Sequence, residues 1–167
     1  MIHLYCGDGK GKTTAAMGLA LRMAGRNQPV IIAQFMKSTD SGERAALAQL
    51  PHIKLLEVPE TVKFSFLLSP EECCTERSRY QQMLRDISDA ASGAGLVVLD
   101  EVCDAVNADL LPLDELLACL DALSAEVVLT GRDPAPQLQQ RADYITHFVK
   151  ERHPFDQGVP ARPGVEF

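Results

Sequence analysis

Residues 6–13 read Cys6-Gly7-Asp8-Gly9-Lys10-Gly11-Lys12-Thr13, residue types and a spacing suited to holding phosphate. The phosphate-loop pattern G-x-x-x-x-G-K-[ST] is met at Gly11, Lys12 and Thr13, with Cys6 where its first glycine belongs. Gly7, Gly9 and Gly11 allow the backbone to turn N–H groups toward phosphate oxygens, Lys12 supplies a point charge, and the Thr13 hydroxyl suits a Mg²⁺ ion. Asp8, Lys10 and Thr14 complete the nucleotide-binding set expected at this loop. A small side chain at Cys6 leaves that arrangement open. Such a loop works with an acidic residue at the end of a buried strand, facing the metal. The run "LVVLDE" supplies Asp100 and Glu101. Taken alone, each feature has a plainer reading: a flexible Gly/Lys turn for the first, a solvated strand end for the second. Together they point to a nucleoside triphosphate bound with Mg²⁺ or Mn²⁺, the metal held by Thr13, Glu101 and Asp100.

The elements that must position these residues are visible as apolar runs of strand length at 2–6, 30–35, 53–58, 96–100, 126–130 and 144–149. Helices are expected between them at 12–25, 41–50, 70–92, 112–123 and 134–142, with Pro70, Pro112 and Pro134 near first turns. Alternation of this kind predicts an α/β fold, a mostly parallel sheet with helices on both faces, and with the phosphate loop after the first strand the expectation is a P-loop NTPase-like (RecA-like) one. The 167 residues, 46% of them hydrophobic, fit one domain over 1–167, with 153–167 as an extended carboxyl-terminal segment. That last stretch, "HPFDQGVPARPGVEF", carries three prolines and two glycines, which exclude a continuous helix or central strand. Fraying is its default. Its reach when extended, about 50 Å, exceeds the domain radius of about 15 Å, so it can arrive at any site on the protein.

A formal net charge of −7 argues against a broad nucleic-acid or membrane surface, since those need clustered cations. Five cysteines, with no C-x-x-C pair, suggest neither a disulfide framework nor a zinc knuckle. Adjacent Cys73 and Cys74 read as small residues near a helix start. No membrane span and no charged leader are expected, and a reducing, cytoplasmic setting follows. His3, His52 and His147 sit at no metal-ligand spacing and read as structural or surface residues.

Several further segments carry a family likeness: "GDGKGKTTAA", "QFMK" (34–37), "GE" (42–43), "KFSF" (63–66), "VVLDE", "LTGR" (129–132), "RAD" (141–143) and the closing "KERHPFDQGVPARPGVEF". In their order along nearly the whole chain they resemble the P-loop ATP:corrinoid adenosyltransferases. The resemblance implies attack by the Co(I) of a reduced corrinoid on the 5′ carbon of ATP, with release of tripolyphosphate, in the making or salvage of adenosylcobalamin. It also implies a reductase that supplies electrons to cobalt, and it is compatible with a homodimer. Co(I) is itself a strong nucleophile, so the protein is asked to align carbon and cobalt and to stabilise the leaving triphosphate with Lys12. No catalytic triad or acid/base His pair is needed, and the chain suggests none. His153 falls in the family's terminal motif and is a candidate for the substrate pocket.

Phe64 and Phe66 have two readings. At i and i+2 of an extended segment they share one face, either a half-buried strand face or a ligand contact. In the family, a Phe-x-Trp here is thought to crowd the lower face of the corrinoid. Phe64 matches that pattern, while Phe66 stands where Trp is usual and offers less bulk. The candidate catalytic set is therefore Lys12, Phe64 and Phe66. The rival function is a P-loop kinase or ATPase acting at the γ-phosphate, for which Arg132, counted here among the nucleotide-binding residues, would stabilise transition-state charge. A module that holds nucleotide without turnover is the third reading. The phosphate product separates all three.

Overall fold

The computed structural model describes residues 1–165; Glu166 and Phe167, the end of the terminal motif, lie outside the described residues. Six strands, β1 (Ile2–Cys6), β2 (Val30–Gln34), β3 (Ile53–Leu55), β4 (Leu96–Asp100), β5 (Glu126–Gly131) and β6 (Tyr144–His147), form one sheet in the order β3-β2-β4-β5-β1-β6. Every pairing is parallel. β2 and β4 are buried at all their positions, as expected where helices cover both faces of a parallel sheet. Alternate residues go to opposite layers. Val30, Ile32, Leu96, Val98 and Val128 pack with Ala16, Met17 and Ala20 of α1 (Lys12–Ala24) and Leu47 of α2 (Gly42–Leu47). Ile31, Ala33, Val97, Leu99 and Leu129 pack on the other face. Their partners there are α3 (Pro70–Ala90), α4 (Val102–Asn107), α5 (Leu113–Ala122) and α6 (Pro136–Arg141).

Boundaries differ from the sequence expectation where local chemistry intervenes. The strand expected at 53–58 stops at Leu55 and that at 144–149 stops at His147. Pro136, rather than Pro134, occupies the first turn of α6. α3 begins where expected because Ser69 and Glu72 form a capping box behind Pro70. α4 was not expected at all. It follows β4 with only Glu101 between, and Glu101 turns the chain in the left-handed region at φ 58°, so no glycine or proline separates strand from helix in the sequence.

The strand ends at Cys6, Gln34, Asp100 and Gly131 share one edge of the sheet. Cys6 pairs with Gly131, and Gln34 with Asp100. The phosphate loop, the Asp-Glu pair and Arg132 therefore emerge together at the carboxyl ends of the strands, where open α/β sheets bind ligands. No helix among the described residues is long and apolar enough to cross a membrane.

Candidate active site

The phosphate loop joins β1 to α1, and Gly7 and Gly11 adopt φ of 102° and 110°, a region open to glycine without strain. A Cβ on Gly7 would lie 2.4 Å from the Phe148 carbonyl oxygen, and one on Gly9 2.7 Å from the Phe148 carbonyl carbon. Both glycines thus let the chain leaving β6 lie directly on the loop. The Gly9 N–H donates to the Phe148 carbonyl at 2.7 Å, which corrects the expectation that it turns toward phosphate. The amides available to an anion are instead those of Lys12, Thr13 and Thr14, which precede the first helical bond, from Ala15 N–H to Gly11. Lys12 Nζ reaches back to donate to the Gly7 and Gly9 carbonyls at 2.7 and 2.8 Å. Burial, with the nearby Arg132 charge, pulls its pKa below the ordinary lysine value.

Behind the loop lies a closed polar network. Asp100 is fully buried, and its Oδ1 accepts the Thr13 hydroxyl at 2.9 Å and the Thr130 hydroxyl at 2.7 Å. Gln34 Nε2 donates to Asp100 Oδ2 at 3.2 Å and to Glu43 at 3.1 Å, while Arg44 donates to Gln34 Oε1 at 2.8 Å and to the Leu56 carbonyl at 2.8 Å. A buried carboxylate is tolerated when its oxygens are satisfied in this way. Asp100 does not reach the cavity wall; it stands one layer behind and orients Thr13. Glu101 does line the cavity and pairs with Lys37 at 3.2 Å. Burial, opposed by Lys37, pushes its carboxyl up to about 7. Asp104 is also raised by burial while accepting the Arg132 N–H at 3.1 Å.

Thr13 gives its hydrogen to Asp100, which leaves its oxygen lone pairs for a cation, and Glu101 adds a carboxylate in the same wall. An oxygen pair of this kind, completed by phosphate and water, suits a small hard divalent ion. Among the described residues, no group of three or more His, Cys, Asp or Glu side chains is placed to hold a metal.

These residues border a cavity of about 1060 Å³, at the upper end of the roughly 300–1,000 Å³ usual for small-molecule sites. Asp8, Gly9, Lys10, Gly11, Lys12, Thr13, Thr14 and Arg132 all line it, and Gly7 does not. The opposite wall comes from the carboxyl-terminal segment: His153, Phe155, Val159, Pro160, Ala161 and Val165. His153, the candidate for the substrate pocket, lies in this wall, and the described part of the tail runs along the cavity. Lys37 and Glu43, both in segments singled out by sequence without a role, belong to the wall as well. Lys150 opens the closing segment that the sequence also singled out, and Asp104 had no such signal.

Phe64 and Phe66 lie outside this wall. They do not form a strand face: Phe64 precedes a 3-10 turn at Ser65–Leu67, and the two rings stack with centroids 5.4 Å apart and 13° between planes. Both are exposed, 71% and 80%, with Leu67 beside them at 61%. The half-buried strand reading is thus overturned, since neither ring contributes to the core. Cys73 and Cys74 fall inside α3 near its start, as expected.

Compared with known proteins, residues 1–167 match the family described as ATP:corrinoid adenosyltransferase BtuR/CobO/CobP. The corrinoid adenosyltransferase of Escherichia coli K12 is 34% identical over 172 residues, spanning all of this chain and 85% of its own length. Corrinoid adenosyltransferase CobA of Salmonella typhimurium LT2 is likewise 34% identical with the same coverage. Among solved structures, a KaiC-like protein of Pyrococcus horikoshii OT3 superposes with a TM-score of 0.52 at 15% identity, over 91% of this chain and 74% of that one. That likeness concerns the fold alone.

Proposed function

Because the chain belongs to the ATP:corrinoid adenosyltransferase family, and is an enzyme that adenosylates corrinoids in cobalamin metabolism, we propose that its reaction is displacement at the 5′ carbon of ATP by reduced cobalt. The electron pair of Co(I) forms the Co–C bond. The C5′–O bond breaks and tripolyphosphate leaves with its electrons. Residues 1–167 act as one domain in this reading. A reductase partner keeps the corrinoid in its nucleophilic state.

The observation that carries this reading is the joining, in one cavity, of a triphosphate cradle and a carboxyl-terminal wall. Lys12 and the first amides of α1 hold the phosphates and stabilise the charge that develops as they depart. Thr13 and Glu101 would hold Mg²⁺, which when bound neutralises phosphate charge and polarises the leaving group. Lys37 pairs with Glu101 at 3.2 Å and opposes the burial that raises its carboxyl, and a bound cation would favour the carboxylate further. The stacked pair Phe64 and Phe66 offers a flat apolar surface for the corrin face, outside the nucleotide cavity, where a second and larger substrate approaches.

Incubation with MgATP and a chemically reduced corrinoid should yield a light-sensitive cobalt–carbon product and intact tripolyphosphate in equal amounts. Formation of ADP with or without corrinoid, and no tripolyphosphate, would replace this reading with phosphoryl transfer, with Arg132 of the cavity wall as its transition-state cation.

A further inference from the structure

The chain leaving β6 is fixed to the phosphate loop at three points. Phe148 N–H donates to the Cys6 carbonyl at 2.8 Å, Gly9 N–H to the Phe148 carbonyl at 2.7 Å, and Lys150 N–H to Asp8 Oδ1 at 3.0 Å. The first two are main-chain bonds that many sequences could make. The third uses a side chain of the phosphate loop. Beyond it, Lys150 Nζ pairs with Asp156 at 3.0 Å, inside the 3-10 turn Pro154–Gln157, whose Phe155 N–H is received by His153 Nδ1 at 3.2 Å. Gly158, at φ 78°, then turns the chain, and residues 159–162 continue along the cavity. A continuous set of contacts therefore runs from the phosphate cradle to the opposite wall.

We infer that Asp8 is the positioning residue that seats residues 148–165 as the far wall of the nucleotide cavity, and that it does not act on phosphate directly. The inference rests on the reading that this cavity holds ATP. Its chemistry favours such a role. A carboxylate pointed at a triphosphate would repel it, whereas one turned to the Lys150 amide gains a charge-assisted bond. That amide is also the main reason the Asp8 carboxyl is held below the usual carboxylate range. The two functions predict opposite signs. If Asp8 faced phosphate, neutralising it would tighten MgATP binding. As a seat for the wall, it can be replaced in part by a neutral side chain that presents the same acceptor.

The full-length chain, Asp8→Ala and Asp8→Asn are compared by amide hydrogen exchange over 148–157 without nucleotide, and by calorimetric titration with MgATP. Asp8→Ala should speed exchange at Lys150 and weaken MgATP roughly three- to tenfold, the range for one lost hydrogen bond. Asp8→Asn, which keeps an acceptor oxygen but not its charge, should fall between Asp8→Ala and the wild type in both. Unchanged exchange in Asp8→Ala would overturn the seating, and faster exchange with unchanged affinity would overturn its link to the nucleotide. Tighter binding by Asp8→Asn would mean that the charge acts on phosphate. If the wild-type chain bound no MgATP, the nucleotide reading itself would fall, and exchange at Lys150 would still decide whether Asp8 holds the segment.

Discussion

The phosphate-loop end of the site and the segment that carries Phe64 and Phe66 are built on opposite principles. At the first, Asp100 is sealed beneath Thr13 and Thr130, Lys12 is held by two loop carbonyls, and two glycines press against the Phe148 backbone. At the second, two aromatic rings and Leu67 stand in solvent on a single 3-10 turn, anchored behind by the ion pair of Lys63 with Glu72. A preorganised cradle suits a leaving group whose charge must be met without rearrangement. An exposed apolar surface, by contrast, suits a large flat partner that supplies the missing burial itself. On the proposed function, the folded chain would already accommodate the triphosphate, and the corrinoid would complete its own site.

The sharpest way to break that contrast compares three phenylalanines. Phe35, fully buried and packed edge-on against Tyr80 at 5.1 Å, should cost about 3–5 kcal/mol when changed to alanine. Phe64→Ala and Phe66→Ala should each change stability by less than about 0.5 kcal/mol, yet slow corrinoid adenosylation while sparing MgATP affinity. Denaturant unfolding and a corrinoid titration read the two effects. A loss of several kcal/mol at Phe64 would return it to the core and collapse the comparison.

A smaller effect is expected at the preorganised end. Lys12→Ala removes charged hydrogen bonds worth roughly 1.5–3 kcal/mol, so MgATP binding and turnover should each fall at least tenfold while the circular dichroism spectrum stays native. Thr13→Ala should follow it in direction. Normal ATP affinity and rate in both variants would dissociate the loop from the nucleotide.

The smallest effect concerns how the aromatic segment is tethered. The Glu72 carboxyl is held below its ordinary value first by its bond from Lys63 and next by the Ser69 amide. A depressed carboxyl contributes stability that is present above its unfolded value near 4.5 and is lost as pH falls through the lower folded one. Acidification below about pH 4.5 should therefore lower the protection of the Ser69 amide relative to its intrinsic exchange rate at each pH, where the Glu72 side chain accepts that amide. Glu72→Gln should flatten this pH dependence. An unchanged profile would mean that the tether does not depend on the ionised carboxylate.

Much of the scaffold could be read along the chain because its signals are local. Buried parallel strands announce themselves as short apolar runs, and the capping box at Ser69 and Glu72 marks the start of α3 within four residues. The short helix α4 escaped because Glu101 turns the chain within one residue, leaving no glycine, proline or loop-length stretch between strand and helix. Arg44 was equally opaque as a functional residue, and Gln34 stood in a segment singled out by sequence but with no role attached. Their importance comes from joining the Asp100 network, and nothing in their own spacing reports a carboxylate far along the chain.

Sequence by itself determined that a phosphate loop joins a strand to a helix, that an acidic pair ends another buried strand, and that the sheet is parallel. These follow from periodicity and from the few residue types that meet a given backbone need. Tertiary structure alone decided what Gly7, Gly9 and Asp8 face, that Asp100 lies behind Thr13, and that Phe64 and Phe66 remain in solvent. The physical reason is the strand order. Placing β6 beside β1 brings Lys150 onto Asp8, 142 positions earlier in the chain, and a contact of that span leaves no periodic trace in the residues that make it.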